Sequence, residues 1–79
     1  MDDKTIKALK KELKIHARAL NIPSGAAESF IDATIKSLRI SFKDKSSVTP
    51  AELERAVKKE IKKYHPDLAY VYQNRDKII

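Results

Sequence analysis

The chain has 79 residues, a net charge of +6 from 17 Lys and Arg against 11 Asp and Glu, 42% hydrophobic residues, one glycine and no cysteine. One domain, 1–79, is expected: too apolar for a disordered chain, too charged for a membrane protein and too poor in glycine for a turn-rich β fold. Without cysteine there is neither a disulfide staple nor a thiol for chemistry, which fits a reducing cytoplasm.

The first segment with helical periodicity runs from about Thr5 to Asn21. Ile6, Leu9, Leu13, Ala17 and Leu20 share one face. Beside it Lys4, Lys7, Lys10, Lys11, Lys14 and Arg18 fall within an arc of roughly 120°, a basic stripe that Glu12 lies outside. Ile15 points away from the core, alone or with Ala8 and Ala19 as a second contact. Pro23-Ser24-Gly25 breaks the pattern, and Ser24 is the expected cap of a second helix from about Ala26 to Phe42. There Phe30, Ile31, Ile35, Leu38 and Phe42 form the apolar face, with Asp32, Lys36, Arg39 and Lys43 opposite.

Asp44 to Ser47 reads as a polar loop. Val48-Thr49-Pro50-Ala51-Glu52-Leu53 is the clearest local signal in the chain. Thr49 is an N-cap, Pro50 takes the first helical position, Glu52 completes a capping box, and Val48 with Leu53 makes a hydrophobic staple. The third helix then extends to about Tyr64, with Leu53, Val57, Ile61 and Tyr64 inward and Arg55, Lys58, Lys59, Lys62 and Lys63 as a second basic stripe. Pro66 ends that helix, and a fourth begins with Pro66 and Asp67 in its first turn, where an acid suits the helix dipole. Leu68, Val71, Tyr72, Ile78 and Ile79 supply its apolar stripe. The fold class expected is therefore all-α, a small four-helix domain with connections of about 3–6 residues.

The residues offer little for catalysis. His16 and His65 stand without cysteine and without an acid at ligand spacing, so no metal is expected; His16 reads as a core or boundary residue. Ser46-Ser47 has no partner base, and no glycine-rich phosphate loop exists. No enzyme activity and no cofactor are expected. Of the tyrosines Tyr64, Tyr70 and Tyr72, which together would suit base stacking, phase leaves Tyr70 facing out.

Two family resemblances lie mainly in the second half. Val48 to Leu53, then Val57, Ile61 and Asp67-Leu68-Ala69-Tyr70-Val71-Tyr72-Gln73-Asn74-Arg75, resembles the last two helices of the ATP-cone, a small nucleotide-sensing regulatory module. Lys14 to Leu20 and Ala26 to Leu38 stand where its earlier helices would be. The likeness is one of hydrophobic spacing and implies a helical regulatory fold; the family's short basic, glycine-containing β segment has no counterpart. Separately, Glu52-Leu53 through Lys63-Tyr64-His65-Pro66-Asp67 is similar to the basic second helix and His-Pro-Asp loop of the J-domain. That resemblance implies stimulation of a partner chaperone's ATPase through the tripeptide, whose residues are equally those of a helix break.

The strongest functional signal is the pair of basic stripes. Lys7, Lys10, Lys11, Lys14 and Arg18 on the first helix, and Lys58, Lys59, Lys62 and Lys63 on the third, are the candidate nucleic-acid contacts, with affinity for phosphate and little sequence specificity. Stripes on one side of the bundle would form a single surface; stripes facing apart read as ordinary solvated faces. The alternative is a regulatory or protein-interaction module in which His65, Pro66, Asp67 and Tyr70, with Ile15 and the Ile78-Ile79 end, meet a protein partner or a second copy of the chain. No membrane partner is expected, since no run approaches the roughly 20 apolar residues of a span.

Overall fold

A computed structural model describes residues 3–75. It has four helices: α1 (Asp3–Ala19), α2 (Ser24–Ser41), α3 (Pro50–Tyr64) and α4 (Pro66–Gln73). No strand occurs among the described residues, and none of their helices is long and apolar enough to cross a membrane.

Several helix ends have a local cause. Asn21 ends α1 by taking a left-handed conformation, φ 59°. The Ile22 amide then donates to the Ala17 carbonyl and the Asn21 amide to the Arg18 carbonyl, both at 3.0 Å, which is the Schellman pattern. The helix break is thus made by Asn21, ahead of Pro23-Ser24-Gly25. It also corrects the expected role of Ser24: Pro23 is the N-cap of α2, no side chain caps that end, and Ser24 is already the first helical residue. With the Pro23 carbonyl accepting from the Ala27 amide at 2.9 Å, helical bonding starts two residues earlier than the apolar pattern indicates. At the far end of α2, Phe42 is the C-cap.

The start of α3 follows its sequence signal. The Thr49 hydroxyl accepts from the Glu52 amide at 3.1 Å, and a Glu52 carboxylate oxygen accepts from the Thr49 amide at 3.3 Å. Val48 and Leu53 flank this cap, both half-buried. The connection between α3 and α4 is His65 alone, shorter than expected. Its amide donates to the Ile61 carbonyl at 2.8 Å to close α3, and its Nδ1 accepts from the Leu68 amide at 3.2 Å to cap α4. One residue serves both helices, so α4 folds straight back beside α3.

Ile6, Leu9, Leu13 and Ala17 from α1, Phe30, Ile31, Ile35 and Leu38 from α2, Val57 and Ile61 from α3, and Leu68 and Tyr72 from α4 form one core. Leu20, Phe42 and Leu53 pack on it half-buried, and Val71 is half-buried as well. Ala27, Ala69 and Thr34 are buried too, although the apolar pattern does not mark them. Thr34 tolerates full burial because its hydroxyl donates to the Phe30 carbonyl one turn back, at 2.8 Å. Tyr64 is a correction: it is 49% exposed rather than in the core. It is the last residue of α3, where the chain turns at His65, and its ring lies flat against Phe30 (centroids 6.2 Å apart, planes 15° apart) instead of inserting between helices. Ile78 and Ile79, expected to extend the α4 stripe, lie outside the described residues.

The helices pack in a ring, α1 on α2, α2 on α3, α3 on α4 and α4 back on α1. The radius of gyration of 12.0 Å is close to the roughly 11–12 Å of a folded chain this long. The diagonal pairs, α1 with α3 and α2 with α4, nowhere bring backbones within contact distance among the described residues. That arrangement decides where the basic stripes go.

Candidate nucleic-acid interface

The buried faces of α1 and α3 look toward each other across the shared core, so their outer faces point apart. The two basic stripes therefore do not merge into one surface: they face apart, the arrangement expected of ordinary solvated faces, so an interface would have to rest on one stripe alone. They also differ in what surrounds them.

On α1 the stripe runs along the flank nearest α2. Lys10 Nζ lies 3.4 Å from Asp32 Oδ1 and Lys14 Nζ lies 3.7 Å from Glu28 Oε1. The registers match because the two helices run antiparallel, pairing i,i+4 bases with i,i+4 acids. Exposed pairs of this kind stabilise by less than about 1 kcal/mol each. Their effect on function is larger: α2 places two carboxylates inside the stripe and cancels part of its field. Lys7, Lys11 and Arg18 remain exposed, with no acid in ion-pair range among the described residues.

On α3 Arg55, Lys59, Lys62 and Lys63 are exposed, while Lys58 is half-buried at the edge toward α4. With Val57 and Ile61 inward, Arg55, Lys58, Lys59, Lys62 and Lys63 span roughly 140° of the opposite side. Two acids of this helix are engaged away from the stripe, and the third, Glu60, neutralises Lys63 within it. Glu52 binds the Thr49 cap and Lys45; Glu54 turns to Arg75; Glu60 pairs with Lys63 at 3.3 Å. Arg55, Lys58, Lys59 and Lys62 are left with no carboxylate in ion-pair range among the described residues. The hydrogen bonds from Lys45 and from the Thr49 amide and hydroxyl hold the Glu52 carboxyl below the ordinary glutamate value.

Beside this face, α4 adds an aromatic. Tyr70 is 67% exposed. It borders a cleft of about 270 Å³ whose other walls are Lys58, Lys62, Pro66, Ala69 and Gln73. A second depression, lined by Glu54 as well as Arg55, Tyr72 and Arg75, shares Lys58 and Gln73 with it along the α3–α4 seam. Arg75 closes the far end. Its Nε is 2.9 Å from Glu12 Oε2 on α1, its Nη2 binds Glu54 on α3, its Nη1 donates to the Tyr72 carbonyl at 2.7 Å, and its guanidinium sits 4.3 Å from the Tyr72 ring centre. Burial opposes the charge on Arg75, but the bond to Glu54 and the field of Glu12 outweigh it and push its pKa above the ordinary arginine value. The Tyr72 hydroxyl is pushed up to about 12, chiefly by burial.

His16, expected at the core boundary, is half-buried. An acid does stand one turn from it, contrary to the sequence reading: its Nε2 is 3.7 Å from Glu12 Oε2, though it makes no hydrogen bond. Among the described residues no three His, Asp or Glu side chains gather closely enough to hold a metal ion. His65, Pro66 and Asp67 form the α3–α4 corner: His65 is half-buried in its capping role, while Pro66 and Asp67 are exposed in the first turn of α4. Tyr70 stands one turn further on and shares its cleft with Pro66. The Arg75 bridge and the acids set into the α1 stripe are not evident from the sequence pattern. The Lys10/Lys14 and Glu28/Asp32 spacing carries the second of these, given an antiparallel α1–α2 pair.

The chain matches no protein-family model, and comparison with curated proteins and with solved structures finds no match either.

Proposed function

We propose that the chain is a non-catalytic binding module that holds nucleic acid, or another polyanion, on the outer face of α3. One observation carries the reading: Arg55, Lys58, Lys59 and Lys62 share that face and none has a carboxylate partner among the described residues. Cations left unpaired in a chain of net charge +6 attract phosphate and release its counterions. Three of the four are lysines, compact charges that do not fork onto a base edge, so affinity without sequence preference is expected, with Kd of order 10⁻⁴–10⁻⁶ M at physiological salt. The α1 stripe is secondary, since it faces away and is partly neutralised by Glu28 and Asp32.

The test compares two variants of equal charge. Lys58, Lys59 and Lys62→Gln removes the α3 cations; Lys7, Lys11 and Arg18→Gln removes as many from α1. Binding to a short nucleic acid is followed by amide-resolved NMR over a range of salt. The α3 triple variant is expected to bind more weakly and to flatten the salt slope, by about 0.7–0.9 for each phosphate no longer neutralised. Equal losses in both variants would reduce the lysines to a solubility device, and full affinity in the α3 variant would reject that face.

A second reading, a protein-interaction or regulatory module, is favoured by the exposure of Tyr70 beside Pro66 at the α3–α4 corner. It predicts a partner meeting His65, Pro66, Asp67 and Tyr70, and salt-insensitive binding separates it from the first.

A further inference from the structure

We infer that the cleft between α3 and α4 takes an unpaired nucleotide, with its phosphate on Lys58 and Lys62 and its base against the Tyr70 ring. The inference rests on the polyanion reading of the α3 face and narrows it to single strands.

A lone exposed tyrosine is ordinary on a protein surface. The company Tyr70 keeps is what distinguishes it. Lys58 and Lys62, one turn apart on α3, form the facing wall of its cleft. Pro66 and Ala69 give the floor an apolar character, and Gln73 supplies an amide that both donates and accepts. Tyr70 is held in place through its backbone: the Asn74 amide and the Asn74 side chain donate to the Tyr70 carbonyl at 3.1 and 2.9 Å. Its ring takes no part in the core, being 67% exposed.

An aromatic face next to two ammonium groups that have no carboxylate partner among the described residues, with apolar side chains between, meets each part of a nucleotide with its complement. The phosphate finds charge, the base finds a ring to stack on, and the base edge finds an amide. In a duplex the faces of the bases are already stacked on one another, so a duplex uses the lysines and leaves Tyr70 idle. At about 270 Å³ the cleft falls just below the roughly 300–1,000 Å³ of ligand sites, room for one base and not for an extended ligand. An acidic peptide would satisfy the lysines but leaves the ring and the apolar floor without a partner.

The test titrates the full chain with a single-stranded oligopyrimidine, an abasic strand of equal length and charge, a duplex and an acidic peptide. The single strand is expected to bind more tightly than the abasic strand, and the Tyr70 ring protons should shift upfield as the base stacks. Tyr70→Leu, which keeps the bulk and helix propensity but removes the π face, should weaken single-strand binding roughly five- to hundred-fold and leave the abasic strand and duplex unchanged. Tyr70→Phe should retain most of the affinity. Equal binding of pyrimidine and abasic strands, or no loss in Tyr70→Leu, would overturn the base site. If Lys58 and Lys62→Gln still weakened every nucleic acid, the polyanion reading would stand without it. Tighter binding of the acidic peptide than of the single strand, or no binding of any nucleic acid, would overturn both.

Discussion

Replacing Arg75 with alanine tests the idea that a side chain, not the helix itself, keeps α4 in place. With eight residues, α4 is well short of the roughly 12–15 that make even a favourable isolated helix marginal, so its order must come from tertiary contacts. Arg75 binds Glu12 on α1 and Glu54 on α3, and donates to the Tyr72 carbonyl on α4. Its side chain is 20% exposed, while those of Glu12 and Glu54 are 35% and 49% exposed. The carboxylates therefore stay wetted when the guanidinium is removed, and no full burial penalty is incurred. Charge-assisted bonds are worth about 1.5–3 kcal/mol when dry and exposed pairs under about 1 kcal/mol, so the two ion pairs together come to about 1–2 kcal/mol. The contact with the Tyr72 ring adds about 0.5–1 kcal/mol. The expected loss is about 2 kcal/mol, or ~8–16 °C in Tm for a domain of this size. Urea unfolding followed by far-ultraviolet circular dichroism measures it, and amide exchange should show α4 losing protection first. Arg75→Lys should recover only a minor part, since an ammonium cannot fork between two carboxylates. A loss below ~0.5 kcal/mol with α4 exchange unchanged would refute the reasoning and return the stability of α4 to Leu68 and Tyr72 alone.

Other perturbations read other parts of the fold. Thr49→Ala removes the hydroxyl that accepts from the Glu52 amide and should cost about 1 kcal/mol in unfolding free energy, with Thr49→Ser restoring most of it. Because the folded Glu52 carboxyl is held below its ordinary value of 4.5, its contribution is present above that pH and lost as pH falls through the folded pKa; Glu52→Gln should flatten that part of the acid-unfolding profile. Tyr72 works at the other end. Its hydroxyl is pushed up to about 12 from 10.0, so the unfolded chain loses that proton first and stability falls as pH rises from about 10 to 12, a slope that Tyr72→Phe should remove. Ile61→Ala empties a fully buried position facing the core and should cost about 2–5 kcal/mol, a large part of the roughly 4–12 kcal/mol of a chain this long, visible as a lowered urea midpoint.

Much of the fold was legible because the signals were local. Thr49-Pro50-Ala51-Glu52 contains its whole capping box within four residues, and the apolar positions of α1 report their own helical phase. What depended on several elements at once was less so. Tyr64 has the phase of a core residue, yet it falls where the chain turns at His65, and no pattern within α3 says that the next helix will leave its flank open. Ser24 has the chemistry of a cap, but Pro23 occupies the capping position, and Asn21, an ordinary polar residue in the sequence, ends α1 through a left-handed backbone. The candidate site shows the same division. The cations of α3 were visible by phase alone, whereas the partial neutralisation of the α1 stripe needed the antiparallel packing that sets Asp32 and Glu28 against Lys10 and Lys14. Arg75, near the end of the chain, gave no periodic signal; its role exists only once α1, α3 and α4 meet.

The His65-Pro66-Asp67 corner is where a local structural task and a docking task can be separated. His65 closes α3 through its amide and caps α4 through Nδ1, and its ring sits 6.5 Å from that of Phe30, so fold architecture alone accounts for the residue. Pro66 supplies the fixed φ of a first helical position. Asp67 is different: it is exposed, and a favourable place near the helix dipole is worth only about 0.3–1 kcal/mol. If the corner serves only the fold, His65→Ala should lower stability by about 1 kcal/mol through the lost cap, His65→Asn should restore it, and Asp67→Asn should be nearly silent in every assay. If the corner also meets a protein partner, Asp67→Asn should weaken binding of that partner while unfolding stays within ~0.5 kcal/mol of the parent chain. Asp67→Asn is therefore the informative substitution, since loss of function at His65 would follow from either cause.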